Sequence, residues 1–302
     1  MPAITPDLMQ RARGSLLGAA IGDAFGMALQ GTLRRPVNAQ VRGLRAGRLE
    51  AGRFTANTEA MLAVAESLLA PSVPASSTPL GKGNLPHPDG RAGGLLARLA
   101  GRPQAAVRET KPGAPTAEAL LCSLPLALIH IDDRAACLEE ARRRSCLTHP
   151  HPECVAGSAF VAAMLWHLLR GAAPGRAIQE SLRVCNDLPE ALVDTIQQAP
   201  GRVRDRLTNR ALVGPTLECV IWGLVLTASY VEAVTRVANL GGDAAIATAL
   251  VGALAGAAYR YSGIPADWRM QVHGFWPPQS ERVWREPELV ALAERLILAA
   301  GR

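Results

Sequence analysis

"RGSLLGAAIGDAFGMALQG", residues 13–31, decides how the rest of the chain is read. Glycine recurs at 14, 18, 22 and 26, and residues four apart share one face of an α-helix. A glycine inside a helix costs roughly 0.5–1 kcal/mol relative to alanine. A full stripe of them is therefore expected only where a second backbone comes close along the whole length. Between them stand Leu, Ala, Ile and Phe, with Ser15 and Asp23 the polar exceptions, which leaves no wide polar face for solvent. The spacing predicts a helix over 7–30, packed tightly against another helix.

The surrounding composition agrees. Of 302 residues, 49% are hydrophobic and only 4% aromatic. Ala and Leu dominate the apolar set and carry the highest helix propensities. Helical periodicity recurs over 58–70, 117–130, 133–146, 154–170, 175–198, 216–228, 230–239, 243–261 and 286–299. No strand-like alternation exceeds four residues. Residues 71–116 change character, with "PSVPASSTPLGKGNLPHPDGRAGG" rich in Pro, Gly and Ser. That stretch reads as a loop insertion holding one short helix near 93–100. The expected fold class is all-α: a compact single-domain multi-helix bundle over 1–302.

The net charge is +6, with 32 Lys and Arg against 26 Asp and Glu. Lys occurs only at 82 and 111, so the basic set is almost all Arg. The arginines are scattered and lack an aromatic stacking surface, which argues against nucleic acid as a partner. Six cysteines, with no CxxC pair, suit a reducing cytoplasm better than a disulfide framework. The opening "MPAITPDLMQRARG" has no charged-then-apolar leader pattern. The run 244–258 is too short and too rich in Ala and Gly to cross a membrane.

Four segments, in order, resemble one family, the ADP-ribosylglycohydrolases. The stretch already quoted is similar to that family's opening G-x-x-x-G-x-x-x-G-D-A-x-G. "FTANTEAMLAVAESLL" (54–69) is similar to T-D-D-T-x-M-x-L-x-x-A-x-S-L. Residues 123–163 carry P-L-A-L and S-x-x-T-H-x-x-P. "NLGGDAAIATALVGALAG" (239–256) is similar to N-L-G-G-D-T-D-T-x-x-A-x-x-G-A-x-x-G. The resemblance implies an all-α fold. In active members it implies two magnesium ions in a cleft, cleaving the glycosidic bond between ADP-ribose and a protein side chain. Such ions need several hard oxygen ligands.

Carried over residue by residue, the family's Thr-Asp-Asp falls on Thr55, Ala56 and Asn57. Its Asp-x-Asp-Thr falls on Asp243, Ala245 and Ile246. Of four expected carboxylates, only Asp243 remains. A Glu that many active relatives place on a loop over the cleft corresponds to Gln30. The family's T-N-G-A-x-M-R corresponds to 116–122, where Thr116 is kept and the Asn, Gly and Arg are not. The expectation is that no binuclear magnesium site exists and that no cofactor is required.

Several residues remain as candidates. Asp23 is either a carboxylate beside the cleft or a buried, hydrogen-bonded helix residue. Asp243 is either a relic ligand or, as the residue type favours, the N-cap of the helix starting at 244. Thr55 is read in the same way as a cap. Glu59, one turn beyond Thr55, could complete a single-metal site with Asp243. Gln30, Thr55, Asn57, Thr116, His149, Gly241, Gly242 and Asp243 form the expected ligand-binding set. His149 and His151 flank Pro150 and read as structural turn residues. The favoured function is a metal-site-degenerate relative that binds ADP-ribose or a related nucleotide without hydrolysing it. An active hydrolase using one magnesium ion or none, and a structural or partner-binding protein, stay open as alternatives.

Overall fold

The computed structural model describes residues 4–70, 113–278 and 280–300. Most of the 71–116 insertion, with its expected short helix, lies outside the described residues. The helices are α1 (Pro6–Leu29), α2 (Ala56–Leu69), α3 (Glu118–Cys122), α4 (Leu124–Ile129), α5 (Arg134–Thr148), α6 (Pro152–Leu169) and α7 (Pro174–Val184). They continue as α8 (Glu190–Gln198), α9 (Val213–Val225), α10 (Tyr230–Ala238), α11 (Ala244–Tyr259), α12 (Ala266–Gln271) and α13 (Glu286–Ala299). Among the described residues the only strands are β1 (Gly274–Phe275) and β2 (Val283–Trp284), a short antiparallel pair. The all-α expectation holds.

Helix α1 is the axis. Thr5 caps it by accepting from the Leu8 N–H at 3.1 Å, and Pro6 occupies the first turn, where its missing N–H is harmless. Its central residues are buried on every side. The glycine stripe meets α11 running antiparallel. A Cβ added to Gly18 would lie 2.4 Å from the Gly252 carbonyl oxygen, and one added to Gly22 would lie 2.2 Å from that of Thr248. No side chain fits there, so the backbones themselves touch. Tyr230 of α10 locks the crossing by donating its buried hydroxyl to the Gly18 carbonyl at 2.9 Å. Helices α2, α6 and α13 pack around this pair, and one apolar core draws on residues from Ala12 to Ala300. Helix α6 is long and apolar enough to cross a membrane by length and composition, but 78% of it is buried inside the protein.

Two expected helices are divided. The 117–130 segment breaks at Ser123, because Pro125 starts a new helix rather than continuing the old one. The 175–198 segment breaks over 185–189, and Pro189 stands as the N-cap of α8. Proline is tolerated at a helix start and disruptive inside, which explains both breaks.

Candidate functional site

Among the described residues the most connected carboxylate is Asp23. It sits on α1 beside the glycine stripe, with no exposed surface. The start of α2 is wrapped around it. The Thr55 N–H donates to Oδ2 at 2.7 Å, and the Thr55 hydroxyl lies 2.9 and 3.1 Å from the two carboxylate oxygens. Asn57 Nδ2 donates to Oδ1 at 3.1 Å. Thr58 donates twice to Oδ2, from its N–H at 3.2 Å and from its hydroxyl at 2.7 Å. A helix start leaves four N–H groups without intrahelical partners. Here a carboxylate from another helix accepts two N–H groups of the Thr55–Thr58 turn, and it is an anion where the helix dipole favours one. Burial pushes the Asp23 carboxyl above the ordinary carboxylate range, while the bonds from Thr55, Thr58 and Asn57 pull it back.

Thr55 also caps in its own right, accepting from the Asn57 N–H at 3.3 Å. The expectation for Thr55 is therefore met, and of the two readings of Asp23 the buried, hydrogen-bonded one describes it. Ala56 faces solvent and its methyl offers no oxygen. Glu59 is half-buried one turn further on, its N–H bonded to the Thr55 carbonyl at 3.1 Å.

The second cluster lies two turns further along α1, about 10 Å from Asp23 at 1.5 Å per residue. Gln30 ends α1 and reaches the start of α11. Its Nε2 donates to Asp243 Oδ1 at 3.0 Å, and its Oε1 accepts from the Ala245 N–H at 2.9 Å. Asp243 Oδ2 accepts from the Ala211 N–H at 2.9 Å. This corrects the expectation for Asp243. It stands at the N-cap position with φ −82° and ψ 59°, but its side chain makes no capping bond. The capping acceptor comes from Gln30 instead, and Asp243 ties Gln30 to the 209–212 segment.

Gly241 and Gly242 complete this cluster, both at positive φ (69° and 61°). That conformation is natural to glycine and strained for other residues. It lets the Gly242 carbonyl accept from the Gly31 N–H at 2.8 Å and the Gly242 N–H donate to the Thr32 carbonyl at 3.0 Å. Asn209 donates from Nδ2 to the Gly241 carbonyl at 2.7 Å, and its own carbonyl accepts from the Asp243 N–H at 2.9 Å. Thr116 reaches the same region through an isolated bridge to Leu212.

His149 lies elsewhere, at the C-terminus of α5. Its N–H donates to the Ser145 carbonyl at 2.7 Å and its Nδ1 is 2.9 Å from the Thr148 hydroxyl. His151 caps α6, its Nδ1 accepting from the Glu153 N–H at 3.2 Å. Among the described residues, no three His, Cys, Asp or Glu side chains gather as a metal-binding group.

The structure thus divides the expected ligand-binding set: Thr55 and Asn57 gather on Asp23. Gln30, Gly241, Gly242 and Asp243 form a second cluster with Thr116 beside it, and His149 lies apart from both. Sequence reasoning missed the role of Thr58, which the hydroxyl-rich start of α2 hinted at. It also missed Asn209 and Ala211, which no local pattern marks.

The model of the ADP-ribosylglycohydrolase family matches residues 4–302. The chain is 27% identical over 287 residues to "ADP-ribosylarginine hydrolase Tri1" of Serratia proteamaculans, covering 88% of this chain and 77% of that one. It is 26% identical over 281 residues to "ADP-ribosyl-[dinitrogen reductase] glycohydrolase" of Rhodospirillum rubrum, covering 87% and 90%. A solved structure described as "ADP-ribosylglycohydrolase-related protein complex" superposes with a TM-score of 0.73 at 24% identity, spanning 98% of this chain and all of that one. With that match running from residue 4 to the C-terminus, the chain belongs to the ADP-ribosylglycohydrolase family.

Proposed function

We propose that this chain keeps the family fold without metal-dependent hydrolysis, and binds an ADP-ribose-like nucleotide near the starts of α2 and α11. The observation that carries the reading is the state of Asp23. Magnesium takes about six oxygen ligands in a near-octahedral shell. The Asp23 oxygens instead face N–H and O–H donors of Thr55, Asn57 and Thr58. Ala56, Ala245 and Ile246 offer no side-chain oxygen. Asp243 has one oxygen engaged by Gln30 and the other by Ala211. The donor set therefore fits a protein-internal hydrogen-bond network and does not fit a pair of divalent ions.

The ligand class is supported by the relatives, whose names place ADP-ribosylarginine and an ADP-ribosylated dinitrogen reductase as substrates. Gly242 is exposed beside the α11 start, and the positive end of a helix dipole suits a phosphate. A protein whose cysteines are all free, five of them buried, is consistent with action in the cytoplasm. The names of those relatives also favour a second reading, hydrolysis with one ion or none.

Thermal melting in magnesium, in ADP-ribose and in both separates these readings, because a ligand of the folded state alone stabilises it by RT ln(1 + [L]/Kd) and so raises Tm. The proposal expects a rise with ADP-ribose alone, no further rise with magnesium, and no release of ADP-ribose from an ADP-ribosylated arginine protein. Release of ADP-ribose, with magnesium or without it, would establish the second reading. No shift with any ligand would leave a structural or partner-binding role.

A further inference from the structure

The loop after α1 carries a surface that the nucleotide reading does not use. Leu33 is 90% exposed and Val37 66% exposed. Opposite them, Val203 is also 66% exposed. Arg204 joins the two segments: its Nη2 donates to the Arg35 carbonyl at 2.7 Å and to the Asn239 carbonyl at 3.0 Å. Arg34 crosses in the other direction, donating to the Leu207 carbonyl. The two segments are thus held together by arginine side chains, and the exposed aliphatics stand on a fixed frame.

The charges are poorly matched. The acid paired with Arg34 is Asp205, at 3.5 Å and with its side chain 84% exposed, a pair that solvent screens strongly. The Nε groups of Arg34, Arg35 and Arg204 are buried without hydrogen-bond partners. Burial, and then the nearby Arg34 guanidinium, push Arg204 below its ordinary value, with Arg236 adding to the effect. Crowded like charges are unfavourable in the free protein, and carboxylates set over them relieve that crowding, while the buried Nε groups stay internal.

We infer that Leu33, Val37 and Val203, with Arg34, Arg35 and Arg204, form a docking surface for an acidic protein segment that sets aliphatic side chains between carboxylates. Nucleic acid fits less well. The nearby Trp222 is only 4% exposed and lies under Arg236, whose guanidinium is 4.2 Å from the ring centroid, so bases find nothing to stack on. A second copy of this chain fits less well too, since a symmetric contact sets the same arginines against each other. Exposed aliphatics ringed by arginine are the composition of a protein interface.

The test selects a phage-displayed random peptide library on the full chain, with the Arg35→Glu protein as counter-selection. The expected peptides alternate Asp or Glu with Leu, Ile or Val. A labelled copy of one is then titrated by fluorescence anisotropy. Arg35→Glu and Leu33→Asp should each weaken it by about tenfold or more, as for a residue at the centre of an interface. Arg183→Glu, the same charge change on the exposed face of α7, should weaken it less than about twofold. Unchanged melting temperatures verify that the variants fold. A labelled oligothymidylate should bind no better to the wild type than to Arg35→Glu. Four results would each overturn the inference: no enrichment, peptides without acids, equal weakening by Arg183→Glu, or oligothymidylate competing the peptide away.

Discussion

The starts of α2 and α11 face the same physical problem and solve it differently. Each is a helix N-terminus whose N–H groups need acceptors, and each takes one from α1; at α2 the Thr55 hydroxyl adds a local cap. At α2 the acceptor is Asp23, a charged group sealed from water and touched by donors alone. At α11 it is Gln30, a neutral amide that accepts from Ala245 with one end and donates to the half-exposed Asp243 with the other. The first arrangement is rigid and consumes its carboxylate. The second leaves Asp243 half-exposed, next to Gly242, which is exposed although its N–H and carbonyl are both engaged. A ligand is therefore expected to act on the α11 side, while the α2 side holds α1 and α2 together.

Removing Asp23 breaks the comparison most severely. Asp23→Ala strands the N–H groups of Thr55 and Thr58 and the side chains around them. At roughly 1–3 kcal/mol for each buried donor left unpaired, the loss should reach about 3 kcal/mol or more, read as the midpoint and slope of urea unfolding. Asp23→Asn should lose less, because one oxygen still accepts. The pH dependence gives the sign of the burial effect. The folded carboxyl is raised above its ordinary value near 3.8, so the folded state holds its proton more tightly than the unfolded state does. The stability gained from that proton is complete below pH 3.8 and is lost as pH rises through the raised value. Asp187, lowered by its bonds to Arg142, has the opposite sign, contributing above pH 3.8 and failing as pH falls. Wild type minus Asp23→Asn should therefore slope downward with rising pH just above 3.8. A flat or rising difference would show that the donors outweigh burial.

Cutting the second link should matter less. Gln30→Ala frees one N–H, that of the buried Ala245, and one oxygen of the half-exposed Asp243. A cost of about 1 kcal/mol is expected, the usual worth of a cap. Gln30→Glu should cost a similar amount at neutral pH, through repulsion from Asp243, and should recover on acidification. Hydrogen exchange at the Ala245 amide would report the loss locally. If Gln30→Ala proves as damaging as Asp23→Ala, the two starts are equally structural and the α11 side has no special claim to the ligand.

The sequence made the first half of this comparison partly visible and hid most of the second. The stripe at Gly14, Gly18, Gly22 and Gly26 announced the α1–α11 contact, because only another backbone lying directly on the helix makes that spacing useful. Thr55 announced itself as a cap through local chemistry. The partnership of Asp23 with Thr58 spans 35 residues, and no periodicity encodes such a distance. Asp243 misled for the same reason. Its residue type and position are those of a cap, yet a long-range glutamine supplies the acceptor, and local preference cannot register a competitor from another helix. Pro125 and Pro189 were legible in principle. Each begins a helix by a rule that applies as readily to a sequence as to a structure.

The smallest expected effect is the most discriminating. Ala56→Asp restores one carboxylate at the family position, on an exposed first-turn site. The helix dipole favours the new charge by about 0.3–1 kcal/mol, and the nearby Asp23 opposes it, so stability should hardly change. Binding magnesium is a different demand, because Asp23 must turn an oxygen away from Thr55, Asn57 or Thr58 before an ion can use it. Ala56→Asp alone should therefore leave Tm insensitive to magnesium. Adding Asn57→Asp and Ala245→Asp, which removes the Asn57 donor and supplies anionic oxygen on both helix starts, should make Tm rise with magnesium. If Ala56→Asp by itself brings a magnesium-dependent rise, the network around Asp23 yields to a cation at little cost. The reading of α2 as a closed, self-satisfied start would then be wrong.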